Sequence, residues 1–429
     1  MKNKVVFIVH YYPPINSSGA KRVEALSKYF TRWGREVTVI TTTKTAADGQ
    51  FTEAIPNGVN LIELNGLGIL KNSVEGVGVH EPLYTGNASF KRRLKDFVMN
   101  LLGQIPDPRL PFAFSFLNPF LNKRVRAALE SADVVVASCP PWATLLAALF
   151  VKWRFGKKIV LDYRDQFSEC HEMPGSVFAK KAEKIIDRFL VKRAGALVTI
   201  SEPMKSYYSA FAGNVFVVTN GYDSERIDAA RSSHPYSQSA NGECVVIRYM
   251  GIVSPGRVPH NVLSALDSMR VEGTLPASKI RFEFYGNGAV LEETLIKSYP
   301  ELRHMFHFYE PIPYDEALGL IATSDYLLFS ETSSKGSLSA QGILTTKMFE
   351  YVGSGRPIIA DISPMALAGA TIRKASESSI VSTDPADFKR FFMAPGFLMP
   401  PQSQVSDFAK GLSRETQARQ YADILDNHV

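Results

Sequence analysis

The chain has 429 residues, 45% hydrophobic and 21% charged, with a net charge of +6 and a sequence pI near 9.0. That length exceeds one common domain and predicts two, and the apolar content excludes a disordered or fibrous chain. Three scattered cysteines, Cys139, Cys170 and Cys244, make no metal or disulfide pattern, which points to a reducing compartment.

The opening MKNKVVFIVHYYPP sets two lysines before a short apolar run. The run meets His10 and two prolines too early for a signal peptide, so it reads as a buried strand. The longest helical apolar run, 142–151, is too short to span a bilayer. In chain order, 5–10 is a strand, 11–19 a loop, 20–33 an amphipathic helix and 37–42 a second strand, a βαβ start. A third strand is predicted at 59–64. Residues 65–120 are rich in Gly, Pro and aromatics and carry one helix near 90–102. Strands at 133–138, 157–162, 196–200 and 215–219 then alternate with helices at 144–155, 176–193 and 203–210. The polar stretch SSHPYSQSANG, 232–242, reads as a linker. A second alternating set follows, with strands at 244–250, 280–286, 305–309, 325–330 and 357–361 and helices at 261–272, 289–298 and 314–323. A long helix predicted at 405–426 is expected, with the C-terminus to 429, to return onto the first domain. The pattern predicts an α/β protein of two doubly wound parallel-sheet domains, 1–231 and 243–404. In such sheets ligands bind beyond the carboxyl ends of strands, so the loops after strands carry the functional reading.

The charge is unevenly placed. Between Lys91 and Arg126 stand eight basic residues against two acidic ones, interleaved with Phe90, Phe97, Phe112, Phe114, Phe116 and Phe120. The segment 89–126 is read either as a face for an anionic membrane surface or as a solvated basic face over an ordinary core. Nucleic acid is not expected as a partner, because no RNP-like, helix-turn-helix or zinc pattern accompanies the charge.

One stretch, SETSSKGSLSAQGILTTKMFEYVGSGRPIIA at 330–360, reads as strand end, small-residue loop, short helix, Gly turn and strand. Thr345 or Thr346 can cap the helix, Gly353 and Gly355 can end it, and Pro357 forbids its continuation. A helix start after a Ser/Gly-rich loop presents backbone N–H groups and a positive dipole end, which suits a phosphate. Ile343, Leu344 and Thr345 lie at that start, Lys347 adds a cation, and Glu350 is an acceptor for sugar hydroxyls. Taken alone, the stretch is better read as an ordinary βαβ unit; the other loops change that.

HYYPPINSSGAKRVEALSKYFTRWGREVTVITT combines a PP, a small-residue loop, an Arg and a strand pattern. ASCPPWATLLAA carries S-x-P-P, LDYRDQFSE carries D-x-R-D with Phe167 in place of Trp, and TISEP and VTNGYD carry S-E and N-G-x-D. FYGNG carries G-x-G, and KMFEYVGSGRPIIA carries K-x-x-E-Y and G-x-P-I-I. Each is weak alone, but all stand in order at strand ends. Together they resemble family 4 retaining glycosyltransferases of the GT-B fold, in particular bacterial members that build surface polysaccharides. The resemblance covers most of the chain. It implies two Rossmann-like domains facing a cleft, the first for the acceptor and the second for a nucleotide-sugar donor.

The departures fall at charged positions. Gly342 stands where the family's first glutamate is expected, and Glu331 is a possible substitute from the same loop. After the first strand of the second domain, GIVSPGRVPH has Ile252 in place of the family's Arg and Arg257 near its Lys. An Arg keeps the capacity to hold a diphosphate by a bidentate fork.

The resemblance implies a donor site of Gly19, Gly251, Asn287, Gly288, Ile312, Ile343, Leu344, Thr345 and Glu350, with Arg257 and Lys347 on the diphosphate. Arg164 and Asp165 either orient the acceptor hydroxyl, hold the β-phosphate or pair to tie their loop. His10 and Ser18 are expected near the acceptor, Asp162 is read as structural, Arg22 as a helix-surface residue in preference to one that reaches the cleft, and Cys139 as a small hydrophobe. No metal or cofactor is required. The implied activity is transfer of a sugar, UDP-linked in preference to GDP-linked, to a carbohydrate or polyprenyl-linked acceptor with retention, in polysaccharide or lipopolysaccharide assembly. The implied location is cytoplasmic, including the inner face of the cytoplasmic membrane. A GT-B nucleotide-sugar 2-epimerase and a degenerate non-catalytic subunit are the alternatives.

Overall fold

A computed structural model describes residues 3–44, 53–64, 123–168, 175–236, 244–331 and 344–429. Ile343, Gly342, the expected helix at 90–102 and all of 89–126 except 123–126 lie outside the described residues. Lys123, Arg124 and Arg126 open the helix Lys123–Ser131.

The apolar runs form parallel strands. β1 (Lys4–Ile8), β2 (Glu36–Thr42), β3 (Asn60–Leu64), β4 (Val134–Cys139), β5 (Lys158–Tyr163), β6 (Ala196–Thr199) and β7 (Val215–Val217) make one sheet, in the order β3-β2-β1-β4-β5-β6-β7. Val6, Ile8, Val135 and Ala137 bury on one face, and Val5, Phe7, Val134 and Val136 on the other. That alternation is what a strand covered by helices on both sides requires. Ala418, Tyr421 and Leu425 of the C-terminal helix Arg414–Asn427 join the second of these layers.

β8 (Val245–Met250), β9 (Ile280–Tyr285), β10 (Phe306–Tyr309), β11 (Tyr326–Ser330), β12 (Ile358–Asp361) and β13 (Ile380–Ser382) make a second parallel sheet, in the order β10-β9-β8-β11-β12-β13. By its internal contacts the chain divides into residues 1–219 with 418–429, and residues 220–417. Each unit is a doubly wound Rossmann-like lobe, the architecture implied by the GT-B resemblance. Among the described residues no helix is long and apolar enough to cross a membrane.

Within the described residues the expected strands and helices are present, apart from the single helix expected at 405–426, with ends differing by a residue or two. Among the described residues, four α-helices and one strand were not expected: Ser224–Ser233, Lys123–Ser131, Leu367–Ala375 and Pro385–Met393, and β13. The first has a legible cap, because the Asp223 carboxylate accepts from the backbone N–H of Arg226 at 3.1 Å. The single long helix expected at 405–426 is instead two, Asp407–Lys410 and Arg414–Asn427. Ser413 starts the second by accepting from the N–H of Thr416 at 3.2 Å. The break is set by a tertiary contact. A side chain at Gly221 would lie 2.6 Å from the Leu412 carbonyl oxygen, and Arg414 Nε donates to the Gly221 carbonyl at 3.0 Å. Only glycine allows that approach.

Arg22, expected on the helix surface, is buried on the helix Ser18–Arg32. Its Nε and Nη2 meet Asp162 Oδ1 at 3.0 and 2.9 Å, and its Nη1 donates to the Thr219 carbonyl at 2.9 Å. Asp162, at the end of β5, also accepts from Ser138 Oγ at 2.8 Å at the end of β4. The pair therefore fastens the first helix to the central strands. Removing one partner leaves an uncompensated buried charge. Asp162→Ala is expected to lower the unfolding free energy by about 3–5 kcal/mol. Urea denaturation checks this, and a loss near zero would mean the pair is hydrated in solution.

Candidate functional site

Strand order reverses once in each sheet, between β1 and β4 and between β8 and β11. At such a point the connections leave to opposite faces, and the strand carboxyl ends open a crevice. The chemistry-bearing residues of each lobe gather there.

In the first lobe, Arg164 follows β5 and is buried. Its guanidinium donates to the carbonyls of Cys139 (3.3 Å), Pro140 and Gly19, and its carbon lies 5.5 Å from the centre of the Tyr11 ring. A Cβ on Gly19 would come within 2.8 Å of Arg164 Nη1, so glycine is needed for this approach. Arg164 thus pins the loops after β1, β4 and β5 to one another through backbone oxygens. Asp165 is exposed beside it, and Ser18 is exposed at the first turn of its helix. His10 is buried, with Nδ1 2.5 Å from Thr42 Oγ1 and its ring edge-on to Tyr11. Cys139 is buried in the apolar layer, and burial pushes its thiol pKa up.

The sequence reading missed Asp187, on the helix Val177–Val191. Its carboxylate accepts from Ser168 Oγ at 2.8 Å, Tyr208 OH at 3.0 Å and Tyr163 OH at 3.1 Å. Burial raises its pKa, and these hydrogen bonds oppose the rise. Its position on the buried face of an amphipathic helix was the available signal. It anchors Ser168 in the loop that carries Arg164.

In the second lobe, the loop after β8 carries Arg257, whose Nε meets Glu331 Oε1 at 2.7 Å, just beyond β11. Lys347, in the first turn of the helix Thr346–Ser354, donates to Tyr249 OH and sits 4.0 Å from the centre of that ring. Burial, reinforced by the Arg257 charge, pushes the Lys347 ammonium down to about 7 against the pull of Glu331 and Glu350. Glu350 is buried, and its Oε1 accepts from Tyr314 OH at 2.8 Å. Desolvation, then the Glu350 charge, raises the Tyr314 phenol pKa.

The same helix buries Leu344 just before its start. Thr345 occupies the cap position, but its hydroxyl makes no capping hydrogen bond, and its buried Oγ1 has no partner among the described residues. Gly355 ends the helix in a left-handed turn at φ 68°, while Gly353 lies inside it, packed so closely on Tyr222 that a Cβ would sit 2.4 Å from the ring.

Two backbone bonds tie neighbouring strand ends. The Gly251 N–H donates to the Tyr285 carbonyl at 2.8 Å, and the Val253 N–H to the Asn287 carbonyl at 2.9 Å. Asn287 Oδ1 accepts from the N–H of Ala289 at 3.1 Å, opening the helix that follows Gly288. Ile312 is half-buried in the loop after β10.

The lobe therefore collects Arg257, Glu331, Lys347, Glu350 and Tyr249 at one switch point, with Leu344 and Thr345 at the adjoining helix start. Tyr249, Tyr314 and the Arg257–Glu331 pair were not singled out together from sequence, since tyrosines in or beside apolar runs read as packing residues. Two cations beside the amino end of a helix make a place for an anion. A lysine near neutrality can take up a proton as that anion arrives.

Residues 19–221 match the family model described as a glycosyl transferase 4-like domain. No curated protein matches the sequence. Among solved structures, the alpha,alpha-trehalose 6-phosphate synthase from Burkholderia multivorans is similar with a TM-score of 0.57 at 9% identity, over 99% of this chain and 97% of that one. Sucrose-phosphate synthase from Thermosynechococcus elongatus gives 0.56 at 13% identity, over 99% and 98%. A putative UDP-N-acetylglucosamine 2-epimerase from Listeria monocytogenes gives 0.52 at 13%, over 100% and 97%. At these identities the likeness is one of fold. With the family match across the first lobe and the shared fold across both, the chain is a GT-B-fold, glycosyltransferase-like protein.

Proposed function

We propose that the chain transfers a sugar from a nucleotide-sugar donor, UDP-linked in preference, to a carbohydrate or lipid-linked saccharide acceptor with retention of configuration, in polysaccharide or lipopolysaccharide assembly. The observation that carries the reading is the pairing of Arg257 and Lys347 with the start of the helix Thr346–Ser354 at the β8/β11 switch point. In glycosyl transfer, charge develops on the leaving diphosphate as the glycosidic bond breaks. Fixed cations and backbone N–H dipoles directed there lower the barrier without reorganising. In this reading the diphosphate draws Arg257 from Glu331, and Lys347 binds it as an ammonium. Glu350, held by Tyr314, accepts from the ribose hydroxyls. The acceptor lies at the β1 and β5 ends of the first lobe, with His10, Ser18 and Asp165 nearest its hydroxyl. Arg164 holds the loops that shape that place. The donor phosphate itself takes the acceptor proton on the face where the new bond forms. The segment 89–126 is proposed to bring the enzyme to an anionic membrane surface.

A thermal-shift screen of nucleotide sugars on the purified chain is expected to raise the melting temperature with UDP-sugars, by mass action. Arg257→Ala is expected to cut kcat/KM for transfer by about 10- to 100-fold, the usual loss for a charge-assisted contact. Unchanged transfer would sink the site. Turnover of the nucleotide sugar without any acceptor would instead identify an epimerase.

The depressed Lys347 pKa gives a second test. Above about pH 7 the free protein carries Lys347 neutral. Binding a diphosphate then requires proton uptake, so affinity for a UDP-sugar, whose diesterified phosphates do not titrate in this range, is expected to be flat below that pH and to fall above it, by up to about tenfold per pH unit. In Lys347→Met the affinity is lower and this dependence is absent. Titration calorimetry across pH, in two buffers of different ionisation enthalpy, reads both effects.

A further inference from the structure

We propose that the helix Val177–Val191, together with the last turn of the helix Ala143–Phe155, is a docking face for an anionic lipid bilayer surface. The helix buries Ala179, Glu183, Asp187, Leu190 and Val191. Its outer side leaves Phe178 83% and Ile185 70% exposed, with Val177 and Phe189 also in water. Lys181, Arg188, Lys192 and Arg193 are exposed among them. Positions 178, 181, 185, 188, 189 and 192 recur at three- and four-residue spacing, so they share one face.

Both acidic residues of 177–193 lie on the buried side, Glu183 beside Lys180 and Asp187 in its hydroxyl cage. The exposed face is thus apolar and cationic only. A hydrogen bond from Lys152 to the Arg193 carbonyl sets the last turn of Ala143–Phe155 beside it. That turn exposes Trp153 at 78% between the exposed Lys152 and Arg154.

Large apolar side chains alternating with cations suit a headgroup layer. Rings and aliphatic chains enter the acyl boundary while Lys and Arg stay level with the phosphates. A second copy fits poorly, because a two-fold contact sets this patch on itself and brings cation against cation. The face shares no residue with 89–126 or with the proposed catalytic site, so it rests on neither reading.

The test uses the full chain and vesicle flotation, with phosphatidylcholine vesicles made with and without phosphatidylglycerol. Binding is expected only with the anionic lipid and is expected to weaken with added salt. Phe178→Ala/Ile185→Ala and, separately, Lys181→Glu/Lys192→Glu are each expected to weaken it by about tenfold or more. All four side chains are exposed, so circular dichroism and melting temperature are expected to stay as in the parent. Trp153→Phe is expected to remove the vesicle-induced blue shift of tryptophan emission. No preference for the anionic vesicles overturns the proposal. So does anionic binding left intact in both double variants, which would place the contact elsewhere. A dimer in sedimentation velocity that Phe178→Ala/Ile185→Ala dissociates also overturns it, in favour of a second copy.

Discussion

Every strand pair in both sheets is parallel. A parallel pair cannot be closed by a tight hairpin, so each return must be a crossover, most often through a helix. All strand carboxyl ends of a sheet then point to one edge, and residues far apart in sequence meet there. Arg257 and Glu331 are joined at 2.7 Å because β8 and β11 are neighbours, although a long stretch of chain separates them. Gly19 meets Arg164, and Arg22 meets Asp162, for the same reason around β1, β4 and β5.

The two lobes use buried charge differently. In the first, the guanidinium of Arg22 is answered by a forked carboxylate and a carbonyl, and Arg164 is answered by three carbonyls. Planar donors in fixed directions are well suited to fastening backbone loops. In the second, two cations share one region with Glu331 and Glu350, and Lys347 lies on an aromatic ring and a phenol rather than on a carboxylate. A lysine with that surrounding is held near its titration point, whereas an arginine would stay charged. One set is arranged for rigidity, the other for a change of charge.

The amphipathic helices show a parallel division. Most bury one stripe against a sheet and present mixed charge outward, as a solvated helix does. The helix Val177–Val191 reverses this, turning its acids inward and leaving aromatic, aliphatic and basic side chains outward. Inward acids are tolerable because Asp187 has three hydroxyl donors and Glu183 has Lys180. The outward side has no such internal explanation, and that asymmetry gives it meaning as a surface.

Much of the fold was legible because its signals are local. Alternating apolar strands, amphipathic helices and Gly or Pro stops placed most of the core elements of both sheets, and the order of motifs at strand ends indicated the GT-B fold. Local signals also marked Lys347, Glu350 and Arg257 as charges at strand and helix ends. Three kinds of information were not local. The break at Gly411–Ser413 depends on the chain near Gly221 pressing against Leu412. The burial of Arg22 depends on a carboxylate one hundred and forty positions away in sequence. The low Lys347 pKa depends on its burial against Tyr249 and on the nearby Arg257 charge. The sequence by itself determined which elements form, since propensity and hydrophobic period act over a few residues. Only the tertiary structure decided which charges meet and which are desolvated, because those depend on distances between segments that the chain order leaves open.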